Sequence, residues 1–204
     1  MNIIAFDTSG RWMTVAIMIE NDVESVQSFS SNKRGSDLLV KKIDMILRFK
    51  NIDISEINLI GCVTGPGNFT GLRSGIAVAK SLAFSLSIPI VGLKYFEVFN
   101  AERPVTLLRN ARKGWWYVSS FDGKAWSCYM QSSDSLNLKG EVISEEEIPG
   151  VNVPVVKGPI FSGQDLLESV VRSFQNNLNI YDHISVKPYY LQKPVAQKTV
   201  EENL

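Results

Sequence analysis

Residues 2–29 read NIIAFDTSGRWMTVAIMIENDVESVQSF, and the pattern within them decides the fold. Residues 2–7 form a short apolar run ending in an acid, the signature of a buried strand. Asp7-Thr8-Ser9-Gly10 supplies turn formers, so residues 13–19 (MTVAIMI) read as the hairpin partner. A third strand fits residues 23–29. Ser36 then caps a helix predicted to run to about residue 50. Residues 57–63 (INLIGCV) read as a buried strand, followed by the glycine-rich run TGPGNFTG at 64–71. A long helix is expected to about residue 87, and residues 89–93 (PIVGL) open another strand.

Three strands, a helix, a strand, a helix and a strand make a hairpin-led mixed sheet with crossover helices. That order suits a ribonuclease-H-like lobe of the α/β class. The second half repeats it weakly. Residues 105–109, 115–121 and 125–130 are expected strands, with an extended stretch near 153–156. Residues 163–175 carry Leu166, Leu167, Val170, Val171 and Phe174 at helical spacing. Fewer and shorter helices point to a reduced second lobe. The expected division is 1–100 and 101–204, with the boundary within 94–104.

A chain of 204 residues can bury a sizeable core, as one domain or two lobes. Its 45% hydrophobic and 21% charged residues are those of a globular protein. The uncharged stretch 81–93 is too short for a membrane span and is interrupted by Pro89. The start, Met1-Asn2-Ile3-Ile4-Ala5-Phe6-Asp7, has no basic n-region and meets an acid too early for a signal peptide. Cys62 and Cys128 stand alone in different apolar contexts, which favours neither disulfides nor a metal cluster. Together these features lead us to expect a cytoplasmic protein. With 21 basic and 21 acidic residues the net charge is zero, whereas a chain that grips nucleic acid unaided carries a basic excess. Any work on nucleic acid would therefore draw its electrostatics from a partner.

Both long helices carry more apolar surface than a sheet can cover. On the first, Leu38, Leu39, Val40, Ile43, Met45, Ile46, Leu47 and Phe49 cover over half the circumference, leaving Lys41, Asp44 and Arg48 a narrow strip. The second has Arg73 and Lys80 as its only charges and small residues at Gly75, Ala77, Ala79, Ser81 and Ala83. Unspent apolar faces on neighbouring helices suggest an interface with another chain; the other reading has loops or the second lobe covering them. The candidate partner-facing residues are Leu39, Ile43, Ile46, Leu47, Arg73, Ser74, Ala77, Val78, Ser81 and Phe84. On this reading Ile46→Arg or Val78→Arg would break a complex and spare the fold, although helical phase alone does not say which apolar face meets the sheet.

Gly65, Gly67 and Gly71 lie between a strand and a helix N-terminus, where free N–H groups and the helix dipole receive anions. The spacing matches neither the dinucleotide fingerprint nor a Walker loop. Two readings stay open: a phosphate or carbonyl contact using Gly65, Gly67, Asn68 and Gly71, or a tight turn with close helix packing. Asp7, Thr8 and Ser9, at the tip of the first hairpin, complete the candidate phosphate set. His183 is the only histidine, so a zinc site or a Ser-His-Asp triad finds no support, and a solvated histidine is the expectation. Asn110-Ala111-Arg112-Lys113-Gly114-Trp115-Trp116-Tyr117 combines cations with aromatics, as partner anchors and base-stacking surfaces do. An aromatic-rich strand with at least one tryptophan in the core reads equally from it. Residues 187–194 (KPYYLQKP) cannot form a regular helix and read as an extended docking arm or tail.

Four of these stretches, FDTS at 6–9, GPGNFTGLRSGIAVAKSLA at 65–83, NARKGWWY at 110–117 and PYYLQKPVA at 188–196, together closely resemble the bacterial TsaB (YeaZ) proteins. The Gly-Pro-Gly-x-Phe-Thr-Gly-x-Arg run is the most specific, and the four span nearly the whole chain, with residues 121–162 least constrained. The resemblance implies the actin-like sugar-kinase/Hsp70 superfold, in which Asp7 would face nucleotide phosphates and their Mg²⁺. It also implies a degenerate paralogue of the threonylcarbamoyl transferase TsaD, pairing with TsaD through the two helices and homodimerising alone through the same surface. With TsaD and the small ATPase TsaE, such proteins make the N6-threonylcarbamoyl group on adenosine 37 of tRNAs reading ANN codons. The implied role is a non-catalytic scaffold that binds no cofactor tightly, meets ATP or ADP only at a partner interface, and reaches tRNA only through the complex. The alternative is an autonomous small ATPase or kinase using Asp7 and the Gly65–Gly71 loop. The catalytic relative's His-x-x-x-His pair is absent, which removes a metallopeptidase reading. Gly35-Ser36, Asn110-Ala111-Arg112 and Tyr190-Leu191-Gln192 depart from the family's usual His-Ser, Asp-Ala-Arg and Tyr-Leu-Arg.

Overall fold

The computed structural model describes residues 1–29, 35–112, 114–136, 138, 140–148 and 159–191. Its elements in chain order are β1 (Ile3–Asp7), β2 (Trp12–Ile19), β3 (Asp22–Phe29), α1 (Gly35–Lys50), β4 (Leu59–Gly65), α2 (Phe69–Leu86) and β5 (Ile90–Lys94). A short helix α3 (Tyr95–Val98) leads to β6 (Val105–Arg112), β7 (Trp115–Phe121), β8 (Trp126–Ser132), β9 (Glu141–Ser144), α4 (Gly163–Gln175) and β10 (Ile180–Tyr181). The expected order is found through α2 and β5, with ends shifted by one or two residues. The extended stretch expected near 153–156, Lys113, and the tail from Gln192 onward lie outside the described residues.

The first sheet runs β10-β5-β4-β1-β2-β3, and the second β8-β7-β6-β9. β1 pairs antiparallel with β2 and parallel with β4, so the hairpin opens a sheet that crossover helices then extend. Period-two alternation puts the two sides of β1 and β4 into different layers. Ile4, Phe6, Ile60 and Cys62 face α1 and α2, while Ile3, Ala5, Leu59 and Val63 face α4 and the second sheet. That makes an α/β architecture of two mixed sheets with crossover helices.

The second half is not folded apart from the first. α4 packs on β1, β2 and β3, and β10 adds an antiparallel edge to β5. Val170 on α4 sits where a side chain on Gly61 would be, with the built Cβ only 2.4 Å from Val170 Cγ2. Val105 and Leu107 of β6 share that core with Leu166 and Leu167 of α4. Tyr95, Phe96 and Val98, between the two sheets in sequence, belong to the same core cluster. An amphipathic stripe such as that of α4 demands an apolar surface but does not say which sheet supplies it.

Helix ends follow the sequence closely. Asn68 caps α2, its side-chain oxygen accepting from the Gly71 N–H at 2.9 Å. Ser162 and Asp165 form a reciprocal capping box at the start of α4, each side chain accepting from the other's backbone N–H at 3.1 and 2.7 Å. Among the described residues no helix is long and apolar enough to cross a membrane.

Candidate functional site

Asp7 ends β1 and is buried, and its carboxylate is spoken for within the chain. Oδ1 accepts from the Ser9 N–H at 2.7 Å and from the Ser9 hydroxyl at 2.5 Å. Oδ2 accepts from Arg109 Nη2 at 3.2 Å, while Arg109 Nη1 donates to Ser9 Oγ at 2.6 Å. Glu145, just past β9, brings Oε1 to 3.6 Å from the same Nη2. The guanidinium lies over the buried Tyr95 ring, 4.1 Å from its centroid. Burial works against the charge on Arg109, but Glu145 and Asp7 together more than offset it and hold it above its ordinary value. Burial pushes Glu145 up, Arg109 pulls it back, and the charge of Asp7 adds to the rise.

The glycine-rich loop packs against the same hairpin tip. A Cβ on Gly67 would lie 2.3 Å from the Ser9 carbonyl oxygen, and one on Gly71 would lie 2.0 Å from that of Thr8. Two hydrogen bonds reinforce the approach: Thr8 Oγ1 donates to the Gly71 carbonyl at 2.8 Å and the Asn68 N–H donates to the Ser9 carbonyl at 2.7 Å; from β7, Tyr117 Oη donates to the Gly67 carbonyl at 3.5 Å. Of the two readings left open by spacing, close packing accounts for Gly67 and Gly71. Of the candidate phosphate set, Asp7, Thr8, Ser9, Gly67, Asn68 and Gly71 lie together, whereas Gly65 lies against Tyr189 and Leu72. Yet the six converge on one another, and no space for a phosphate remains between loop and turn. A nucleotide with its Mg²⁺, which the superfold implies at Asp7, does not fit these residues as they stand: an arginine holds the carboxylate and an asparagine caps the helix.

The helical layer corrects the expected partner surface. Leu39, Ile43, Ile46 and Leu47 are buried against the sheet, so α1 turns the opposite way from the expectation. Apolar residues cover so much of α1 that the sequence allowed either phase. Its outward apolar residues are Val40, Met45 and Phe49, the last 76% exposed. On α2, Arg73, Ala77, Ser81 and Phe84 form an outward stripe with the half-buried Ser74, and Phe84 is 66% exposed. Val78 packs partly against the core, and the expected harmless arginine at Ile46 would be a buried one.

Residues 182–191 lie along one flank of α2 as a strap. Tyr190 stacks on Phe69 at 5.4 Å between centroids and accepts from Arg73 Nε at 3.2 Å. Lys80 Nζ donates to the Ile184 carbonyl at 3.2 Å, and His183 meets Phe84 edge-on at 4.9 Å. The described part of the expected arm is therefore docked on its own chain, and His183 rests on an aromatic ring rather than standing free in solvent. Of the two tryptophans in the β6–β7 hairpin, Trp116 is buried and Trp115 is partly exposed with the Arg112 guanidinium 5.5 Å from its ring.

Arg109 and Glu145 are the functional-site residues that sequence reasoning missed. The available signal was an arginine closing the apolar run VTLLR at 105–109, where a strand buried on both faces has no use for a charge unless an acid awaits it. The cysteines offer no nucleophile. Burial pushes the Cys62 thiol up to about 12 and the Cys128 thiol up to about 11. At pH 8 iodoacetamide is expected to leave Cys62 unmodified in the folded protein and to alkylate both cysteines in urea, read by intact mass. Rapid alkylation of Cys62 without denaturant would contradict its placement. Among the described residues no group of three His, Cys, Asp or Glu side chains is placed to hold a metal.

A family model described as TsaD, tRNA N6-adenosine threonylcarbamoyltransferase, matches residues 30–178. The Escherichia coli K12 protein described as tRNA threonylcarbamoyladenosine biosynthesis protein TsaB is 25% identical over 167 residues, covering 78% of this chain and 72% of that protein. The Bacillus subtilis protein of the same description is 28% identical over 129 residues, 61% of this chain and 56% of its own length. Across the relatives that match most strongly, the chain spans about half their length. Among solved structures, YeaZ from Pseudomonas aeruginosa superposes with a TM-score of 0.77 at 20% identity, over 93% of this chain and 99% of that one. A second Pseudomonas aeruginosa structure, of a protein similar to peptidase YeaZ, gives the same TM-score of 0.77 at 19% identity.

Proposed function

Because the chain belongs to the TsaB (YeaZ) family, within the group matched by the TsaD family model, we propose that it serves tRNA threonylcarbamoyladenosine synthesis as a non-catalytic scaffold. Its partner is the catalytic paralogue TsaD, met through the outward face of α2 and the exposed apolar residues of α1. The observation that carries this reading is a contrast between two places in the fold. The pocket around Asp7 is filled by Arg109, Ser9 and Glu145. The helices, by comparison, leave Phe84 on α2 and Phe49 on α1 largely exposed, with the small side chains of Ala77 and Ser81 outward on α2. Large exposed apolar residues around a small-residue stripe let a second helix approach closely.

Arg73, Ser74, Ala77, Val78, Ser81 and Phe84 remain the proposed contacts on α2. On α1, Val40, Met45 and Phe49 replace the four residues that turn inward. Alone, the chain uses the same face for a second copy of itself. TsaE and tRNA are reached through the complex in the cytoplasm, no nucleotide is held tightly by the isolated chain, and ATP or ADP is met only at a partner interface. The autonomous ATPase or kinase reading is opposed by the ion pair at Asp7 and by the contact of the glycine loop with Thr8 and Ser9.

Size-exclusion chromatography with light scattering tests the proposal, using the chain alone and mixed with the TsaD of the same organism. A one-to-one complex is expected, formed at the expense of any homodimer. Ala77→Arg places a charge in the centre of the stripe without touching the core. It should weaken the complex at least about 100-fold, about 2.7 kcal/mol, while leaving the circular dichroism spectrum unchanged. Full complex formation by this variant would refute the proposed face.

A further inference from the structure

The geometry points to Arg109 as a built-in cation: we propose that its guanidinium closes a latent divalent-cation site formed by Asp7, Ser9 and Glu145. Two carboxylates reach the same nitrogen, Asp7 Oδ2 at 3.2 Å and Glu145 Oε1 at 3.6 Å from Arg109 Nη2. The Ser9 hydroxyl takes the neighbouring Nη1 at 2.6 Å. Asp7, Arg109 and Glu145 are only 2%, 3% and 6% exposed. Gly10 makes room for the head group, since a Cβ there would lie 2.9 Å from Nη2 and 3.1 Å from Glu145 Oε2.

The match between arginine and acids is incomplete. Among the described residues Arg109 Nε and Glu145 Oε2 have no hydrogen-bond partner although both are buried. A planar guanidinium uses up its directional N–H groups, whereas a spherical hard cation accepts oxygens from any side. Three oxygen-bearing side chains, one with a spare buried oxygen, are a donor set suited to a hard divalent ion with water completing its shell. The charges agree. Two carboxylates against one guanidinium leave a residual negative charge that a divalent ion in its place would neutralise. This inference concerns the Asp7 pocket and stands independently of the partner face on α2.

Its test compares the wild-type chain with Arg109→Ala in thermal denaturation with and without millimolar Mn²⁺, and counts bound Mn²⁺ by electron paramagnetic resonance. The wild-type protein is expected to bind no Mn²⁺ in the pocket and to keep its Tm within about 1 °C. Arg109→Ala should lose about 10 °C through two unpaired buried carboxylates. Mn²⁺ should restore at least half of that loss with one ion bound, and Asp7→Asn in the same background should abolish the restoration. A folded Arg109→Ala that neither binds Mn²⁺ nor gains stability from it would overturn the proposal. So would a variant that stays unfolded at saturating Mn²⁺, or wild-type binding that Asp7→Asn removes.

Discussion

Gly71→Ala is expected to destabilise the protein by about 3 kcal/mol or more, reversing the usual gain of about 1 kcal/mol for glycine to alanine within a helix. The added Cβ would sit 2.0 Å from the Thr8 carbonyl oxygen, well inside contact distance, and the obstacle is backbone rather than a side chain that could swing away. Relief requires α2 to lift from the β1–β2 turn. That movement breaks the bond from Thr8 Oγ1 to the Gly71 carbonyl and the bond from the Asn68 N–H to the Ser9 carbonyl. The measurement is the urea midpoint at unchanged slope. Ser81→Ala, on the open stripe of the same helix, should stay within about 0.5 kcal/mol. A Gly71→Ala midpoint equal to the wild type would mean that loop and turn are not in contact.

The second large effect concerns the phase of α1. Ile46 is 4% exposed and packs in the layer between the helices and the sheet, so Ile46→Arg should cost more than about 4 kcal/mol by burying an unpaired charge. At roughly 2–4 °C per kcal/mol for a chain of this size, the Tm should fall by about 10 °C or more, or the variant should not fold. Met45, the adjacent residue, is half exposed, and Met45→Arg should leave the Tm within about 2 °C. The paired result is diagnostic because one residue of helical rotation would leave both positions buried or both exposed, and the two substitutions would then cost alike.

The strands and helices of the first half were legible because their periods are clean. The stretch from Ile3 to Ile19 is two apolar runs broken by the turn formers Asp7 to Gly10, and Ser36 marks the start of the first helix. The orientation of α1 was not legible, since residues at nearly every angle but one are apolar and a sheet can accept either side. The destination of α4 was hidden for a related reason: its stripe fits the first sheet as readily as the second. β10 has only two residues, too short for any periodic signal, and gains its place by pairing Ile180 with Val91. The glycine loop read equally as a phosphate contact or as a tightly packed turn, because the groups it meets, the carbonyls of Thr8 and Ser9, are placed by tertiary folding. The Asp7 cluster draws on a hairpin turn, a strand of the second sheet and the segment after β9. Only the packing of β6 beside the first hairpin brings those three together.

The central claim is that this chain contributes a surface and not a reacting group, and reconstituted threonylcarbamoylation of tRNA with TsaD and TsaE tests it most directly. TsaD without this chain should be nearly inactive, and the wild-type chain should restore the rate. Ala77→Arg should support little turnover at equimolar amounts and approach the wild-type rate when added in large excess, because its defect is in affinity alone. An Ala77→Arg chain as effective as wild type at low concentration, or nucleotide turnover by the purified chain on its own, would contradict the account.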